Sequence, residues 1–269
     1  MSGWVPTLPA HALPAIHQFL RAHAISDGPT GVVVGLSGGV DSAVVARLAR
    51  DALGANAVLG VLLPDARFPP ALRTETETYA DALGIEHLTL PVDGVESAFR
   101  DLLPAVQDRV TLGNVVARIR MTVLHTLARE RRRLVAGTGN KSELLLGYFT
   151  KYGDGGVDLL PIGDLYKTEV WEAAAALDLP ATIRERAPTA GLWEGQTDEG
   201  ELGLPYSQID RILFGLERLH TEEEIADAVA LPLATVREVA DRVARSRHKR
   251  RPAPVAKVGF RTVGLDWRE

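Results

Sequence analysis

One stretch constrains the fold more than any other. Gly31-Val32-Val33-Val34-Gly35-Leu36 runs into Ser37-Gly38-Gly39, and then into a helically spaced segment from Val40 to Leu53 that stops at Gly54. Consecutive β-branched residues bounded by glycine read as a short buried strand. A strand that enters a helix through a three-residue Ser-Gly-Gly break is the first half of a strand–helix–strand unit, and that unit builds parallel sheets.

The chain repeats the pattern. Val58 to Leu63 is apolar and ends at Pro64, and Thr74 to Leu83 has helical spacing and stops at Gly84. A weaker strand runs from His87 to Val92. The segment Asp101 to Glu130 contains a long helix with Val116, Ile119, Val123, Leu124 and Leu127 on one side. Leu134-Val135-Ala136 is a fourth strand, ending at Gly137. An amphipathic helix near 9–24 precedes the first strand. This alternation predicts an α/β fold, a doubly wound parallel sheet with helices on both faces. In such sheets ligands bind beyond the C-terminal ends of the strands, here loops 35–42 and 137–143.

After Gly147 the texture changes. Segments 147–165 and 187–205 are rich in Gly and Pro, with a helix from Lys167 to Leu177 between them. Residues 206–247 read as two or three helices, and the tail from Arg250 as irregular. The expectation is one domain over 1–269, with an α/β core near 25–165 and a mainly helical C-terminal part over 166–269. Long Gly-rich loops are often functional, so 147–165 and 187–205 are expected to order and close as lids when substrate binds, with Gly153, Gly155 and Gly156 giving backbone freedom.

Composition narrows the chemistry. Of 269 residues 46% are hydrophobic and 24% charged, which is ordinary for a globular chain and excludes a disordered one. No apolar run approaches the ~18 residues of a membrane helix, and the N-terminus lacks the pattern of a signal peptide. There is no cysteine, so disulfides, thiolate metal sites and a Cys-based glutaminase are excluded. The formal net charge of −5 disfavours wholesale nucleic-acid binding. A cytoplasmic location is the expectation. The basic run Arg129 to Arg133 reads as a solvated helix end. Arg245 to Arg251 reads equally well as a helix end or as a substrate contact.

The segment Gly35-Leu36-Ser37-Gly38-Gly39-Val40-Asp41-Ser42 has the makings of a phosphate cradle. Its glycines admit an anion close to the backbone, its serines add donors, and a helix N-terminus lies behind them. Asp41 repels phosphate directly and so needs a cation between, for which Mg²⁺ is suited. The loop lacks the lysine of a Walker A motif. The plainer reading is a strand–helix turn capped by serine. Glu143 supplies a second carboxylate if the first and fourth strands are neighbours; otherwise it is an ordinary first-turn acid.

The octapeptide 35–42 resembles the pyrophosphate loop of the N-type ATP pyrophosphatases, whose fold is adenine nucleotide alpha hydrolase-like. Gly137-Thr138-Gly139-Asn140-Lys141-Ser142-Glu143 and the block Gly147-Tyr148-Phe149-Thr150-Lys151-Tyr152-Gly153-Asp154-Gly155-Gly156-Val157-Asp158-Leu159-Leu160-Pro161 narrow the likeness to the ammonia-dependent NAD synthetases. Asn114 to Met121, Lys167, Pro188-Thr189 and His248-Lys249 follow in the same order, so the resemblance spans about 31–252. It implies ATP-dependent amidation of deamido-NAD with ammonia, through an adenylated carboxylate, to give NAD, AMP and pyrophosphate. ATP would be bound by Gly35, Leu36, Ser37, Gly38, Gly39, Val40, Asp41, Ser42, Thr138, Lys167 and Thr189. Deamido-NAD would be held by Arg118, Lys151, Asp158, His248 and Lys249, and Mg²⁺ by Asp41 and Glu143. No side chain would act as nucleophile. The resemblance also implies a homodimer with the dinucleotide at the subunit interface. Many bacterial members read Gly-Thr-Asp-His where this chain has Gly137-Thr138-Gly139-Asn140, so no role carries over to Gly139 and Asn140.

Two other classes use similar loops. A tRNA-modifying pyrophosphatase would call for a strongly basic face and often for cysteines. A nucleotide-sensing module would need neither the acidic pair nor the 147–161 block.

Overall fold

A computed structural model describes residues 4–24, 28–189, 191, 193 and 195–263. Strands β1 (Val32–Gly35), β2 (Val58–Leu62), β3 (Glu86–Thr89) and β4 (Leu134–Ala136) form one sheet in the order β3-β2-β1-β4, with every pair parallel. Helices α1 (Ala12–Ala24), α2 (Val40–Leu53), α3 (Pro70–Leu83), α4 (Asp93–Leu102) and α5 (Arg109–Arg131) accompany it. Helices α6 (Lys141–Leu146) and α7 (Lys167–Ala176) follow β4, and then come α8 (Ala181–Arg184), α9 (Asp198–Leu202), α10 (Tyr206–Glu217), α11 (Glu222–Val229) and α12 (Leu233–Arg245). The chain leaves β1 towards β2 and β3 and returns to β4 on the other side. The order therefore reverses between β1 and β4, where open sheets of this kind bind ligands.

Period-two alternation sorts the strands into two cores. Val32, Val34, Val58, Leu62 and Ala136 face α1, α2, α3 and α7. Val33, Leu59, Val61 and Val135 face α5 through Val116, Ile119 and Ala128. Helix α2 buries Val40, Ala43, Val44, Val45, Ala46, Leu48 and Ala49, almost its whole circumference. An all-round apolar helix is an interior one, so the loop in front of it rests on a fixed support. A third core joins α10, α11 and α12 to Leu146 and Tyr166, which flank the candidate site.

Some boundaries differ from those predicted. Helix α3 begins at Pro70 rather than Thr74, because proline fits the first helical turn. The long helix starts at Arg109, where the Asp108 side chain accepts the Thr111 N–H at 2.8 Å. Helix α4 is a separate element.

Segment 147–165 is packed structure in place of the expected lid. Leu159, Ile162 and Leu165 lie in the main core. Leu159 donates to the Val135 carbonyl at 3.1 Å and accepts the Gly137 N–H at 2.8 Å, extending the free edge of β4. Its glycines serve close packing. A Cβ on Gly153 would sit 2.8 Å from Thr150 Cγ2, and one on Gly155 would sit 2.4 Å from the Phe149 ring. Of segment 187–205, positions 190, 192 and 194 lie outside the described residues. The rest includes α9, and Trp193 lies under the Arg109 guanidinium at 4.9 Å.

Candidate active site

The loop after β1 is held by its own side chains. The Ser42 hydroxyl donates to the Gly39 carbonyl at 2.9 Å and accepts the Ser37 N–H at 3.3 Å, while Ser37 Oγ accepts the Gly39 N–H at 3.3 Å. Gly39 is the N-cap of α2 and has no side chain with which to cap the first turn. The amides and dipole of that turn therefore face the loop, a ready anion site. Gly38 has φ +77°, and a Cβ there would lie 2.5 Å from Leu72 Cδ1 and 2.8 Å from Thr76 Oγ1. Gly38→Ala is expected to distort the loop, costing about 1–3 kcal/mol of strain and weakening nucleotide binding at least ten-fold by the ~1.4 kcal/mol conversion. Thermal melting and nucleotide titration check it.

Next to the loop, three charges meet in a largely buried space. Asp41, in the first turn of α2, accepts a hydrogen bond from Asn140 Nδ2 at 3.0 Å and one from Lys167 Nζ. Glu143 Oε1 lies 3.7 Å from the same Nζ. The adjacency of β1 and β4 makes the meeting possible. Asn140 is the hinge of the arrangement. Its Oδ1 accepts the Glu143 N–H at 3.0 Å, its own N–H donates to Glu143 Oε2 at 3.1 Å, and its Nδ2 holds Asp41. It thus closes a capping box on α6 and joins the two carboxylates.

Lys167 opens α7 and is 2% exposed. Its N–H donates to Ser142 Oγ at 2.9 Å. Ser142 in turn donates to the fully buried Asp210 of α10, which also accepts the Thr168 N–H at 2.8 Å. The third core is therefore tied by hydrogen bonds to the residues that place Glu143 and Lys167. Asp198, 3% exposed, adds a third negative charge and accepts the Tyr206 hydroxyl at 3.3 Å. Burial and the charge of Asp41 push the Glu143 carboxyl up to about 8. Burial pulls the Lys167 ammonium down, but Asp41 and Glu143 overcome it and hold the ammonium above its ordinary range. The site gathers three carboxyl groups around one lysine, and burial with mutual repulsion favours a proton on Glu143.

That grouping tests the fit of Mg²⁺. Asp41 and Glu143 offer hard oxygens that already face a common cation. Among the described residues no three His, Asp or Glu side chains are grouped to hold an ion alone. The two carboxylates fit an ion whose other ligands come from phosphate oxygens and water.

Four of the five residues expected at the dinucleotide come together elsewhere. Arg118 on α5 donates to the Lys151 carbonyl at 3.3 Å, and Lys151 Nζ donates to the His248 carbonyl at 2.8 Å. Lys249 Nζ donates to the Gly147 and Phe149 carbonyls at 2.7 and 2.8 Å, and burial lowers its pKa. Asp158 is engaged differently: its carboxylate accepts the Val135 N–H at 2.8 Å on the open edge of β4. Thr138 lies half-buried in the loop after β4, beside the phosphate loop. Thr189 is turned into its own segment, donating to the Gln196 carbonyl at 2.7 Å and accepting the Gly191 N–H at 3.1 Å. Asn140, Asp198, Tyr206 and Arg186 were not among the predicted residues. Only Asn140 carried a readable signal, the capping-box spacing to Glu143.

Comparison with known proteins bears on the whole chain. The NAD synthase family matches residues 12–253. The NH(3)-dependent NAD(+) synthetase of Methanosarcina mazei is 46% identical over 243 residues, which cover 89% of this chain and 95% of that one. The solved structure of an NMN synthetase from Francisella tularensis superposes with TM-score 0.82 at 33% identity, covering 93% of this chain and 99% of its own. An NH3-dependent NAD synthetase from Campylobacter jejuni, solved with nitrate, superposes with TM-score 0.78 at 30% identity, covering 91% and 98%. With a family match across nine-tenths of its length and a relative 46% identical over 95% of that relative's chain, this chain belongs to the NAD synthase family, a family of ligases.

Proposed function

We propose that the protein amidates deamido-NAD with ammonia at the expense of ATP. The observation that carries this reading is the uncapped first turn of α2 facing the same space as Lys167, Asp41 and Glu143. The nicotinate carboxylate attacks the α-phosphorus of ATP and pyrophosphate leaves. Ammonia then attacks the acyl carbon and AMP leaves, giving the amide. The α2 amides and Lys167 offset the charge that gathers on pyrophosphate, and no covalent enzyme intermediate is required. Asp41 and Glu143 would hold Mg²⁺, which when bound supplies further charge neutralisation at the phosphate oxygens. Arg118, Lys151, His248 and Lys249 are proposed to take the dinucleotide. Asp158 and Thr189 must first release their present partners to join in.

The test is amide formation by the purified chain with ammonium or glutamine as nitrogen donor. Ammonium is expected to support turnover and glutamine is not, since the sequence holds no cysteine to open the glutamine amide. Efficient use of glutamine would contradict the reading. The Francisella structure motivates a second reading, in which nicotinate mononucleotide is the carboxylate substrate. Comparing kcat/KM for the two acids separates them, and the proposal requires deamido-NAD to be preferred.

The protein is further proposed to be a cytoplasmic homodimer with deamido-NAD at its interface. Helix α4 buries none of its residues. Val95, Phe99 and Leu102 stand exposed on it, with Leu103 and Val110 beyond, and α4 lies against α5, which carries Arg118. An apolar face of this kind calls for a partner surface, and a second copy of the chain would cover it. Phe99→Glu with Leu102→Glu is expected to halve the mass found by sedimentation equilibrium. An unchanged mass would exclude this face as the interface.

A further inference from the structure

Arg186 takes no part in the mechanism above, yet its guanidinium lies directly on the backbone of the phosphate loop. It follows α8 and stands three residues before Thr189. One guanidinium N–H donates to the carbonyl of Gly38 inside the loop, and another donates to Glu75 on α3. Thr182 and Arg186 together keep the Glu75 carboxyl below its ordinary range. A small cavity beside this contact is lined, among others, by Leu36, Gly38, Ser42, Glu75, Ile183 and Arg186. The left-handed conformation of Gly38 belongs to the same turn.

A strap that only had to cross the loop would gain little from a full positive charge aimed at a neutral carbonyl. Arginine has five N–H donors in a planar fork, stays charged at any working pH, and matches phosphate oxygens in pairs. Glu75 supplies a fixed counter-charge that holds the fork in place, and the uncapped turn of α2 opens onto the same loop. The guanidinium N–H on the Gly38 carbonyl and the uncapped turn of α2 are the two groups here that suit an anion.

We propose that Arg186 is a polyphosphate-binding residue. As a nucleoside triphosphate enters the loop, the guanidinium exchanges the Gly38 carbonyl for a phosphate oxygen while Glu75 retains it. The exchange brings segment 187–189, and with it Thr189, towards the nucleotide. This rests on the reading that the loop binds ATP.

The experiment compares wild type with Arg186→Ala, Arg186→Lys and Glu75→Gln as purified full-length proteins. Binding of a non-hydrolysable ATP analogue is measured by calorimetry. Inhibition by pyrophosphate and the KM for deamido-NAD are measured in turnover. Arg186→Ala is expected to weaken analogue binding and pyrophosphate inhibition each by about ten-fold, the worth of one charge-assisted hydrogen bond, with the deamido-NAD KM within about two-fold, a shift of under half a kcal/mol on the same scale. Arg186→Lys should recover only part of the loss, because a point charge cannot bridge Glu75 and a phosphate as the fork does. Glu75→Gln, which keeps the guanidinium, should lose less than Arg186→Ala. Should the alanine variant fail to fold, the lysine variant still decides, since loss of a purely structural strap lowers melting and leaves analogue binding and pyrophosphate inhibition of the folded protein unchanged. Unchanged analogue binding and pyrophosphate inhibition in the variants, with only melting affected, would overturn the proposal. If wild type binds the analogue but releases no AMP with deamido-NAD, the proposed reaction fails while the Arg186 comparison still stands.

Discussion

Asp41→Asn is expected to lower AMP and pyrophosphate release by about two to three orders of magnitude at saturating Mg²⁺, the usual scale for losing one electrostatic element of a preorganised site. The substitution keeps the shape of the side chain and removes its charge. Lys167 Nζ retains Glu143 at 3.7 Å, and Asn140 retains its capping box on α6, so the fold survives with a modestly lowered Tm. Activity and stability are thereby separated at one atom. Turnover near wild type, measured as AMP formed per enzyme, would remove Asp41 from the reaction.

Lys167→Met is expected to damage both. The lysine is 2% exposed and is the cation that Asp41 and Glu143 share. Methionine fills most of the volume but leaves two carboxylates facing each other, with Asp198 nearby. Breaking a buried pair in this way costs about 3–5 kcal/mol, or roughly 5–9 °C in Tm for a chain of this size. Turnover is expected to fall by about three orders of magnitude as the charge opposite pyrophosphate disappears. The double variant Asp41→Asn with Lys167→Met should regain part of the Tm, because it removes one unpaired charge, and should regain no activity. Differential scanning calorimetry on the three proteins tests the first point, and AMP release tests the second. A double variant no more stable than Lys167→Met would show that the charges do not interact as described.

Much of this site was legible because its signals are local. The Gly35–Ser42 loop lies between a β-branched run and a helix with apolar residues on nearly every face, and α2 occupies the very span predicted, Val40–Leu53. Glu143 counts as a second site carboxylate only on condition that β1 and β4 adjoin, and the structure pairs them. Residues that act across the fold were not legible. Arg186 reaches Gly38 across 148 positions, and Ser142 reaches Asp210 across 68. No periodicity announces such contacts. The 147–165 segment misled for a physical reason: glycine serves motion and close packing alike. Only the neighbours of Gly153 and Gly155, Thr150 and Phe149, show that here it serves packing. Helix α4 was missed because its exposed apolar face matches no core within the chain.

The central claim is that ATP activates a carboxylate by adenylation at the loop in front of α2. The most direct test is isotope transfer. Deamido-NAD labelled with ¹⁸O in the nicotinate carboxylate is turned over with ATP and ammonium, and the products are weighed by mass spectrometry. If the carboxylate attacks the α-phosphorus, one labelled oxygen leaves with AMP and pyrophosphate carries none. Label found in a phosphate released alongside ADP, or AMP formed without label, would contradict the account.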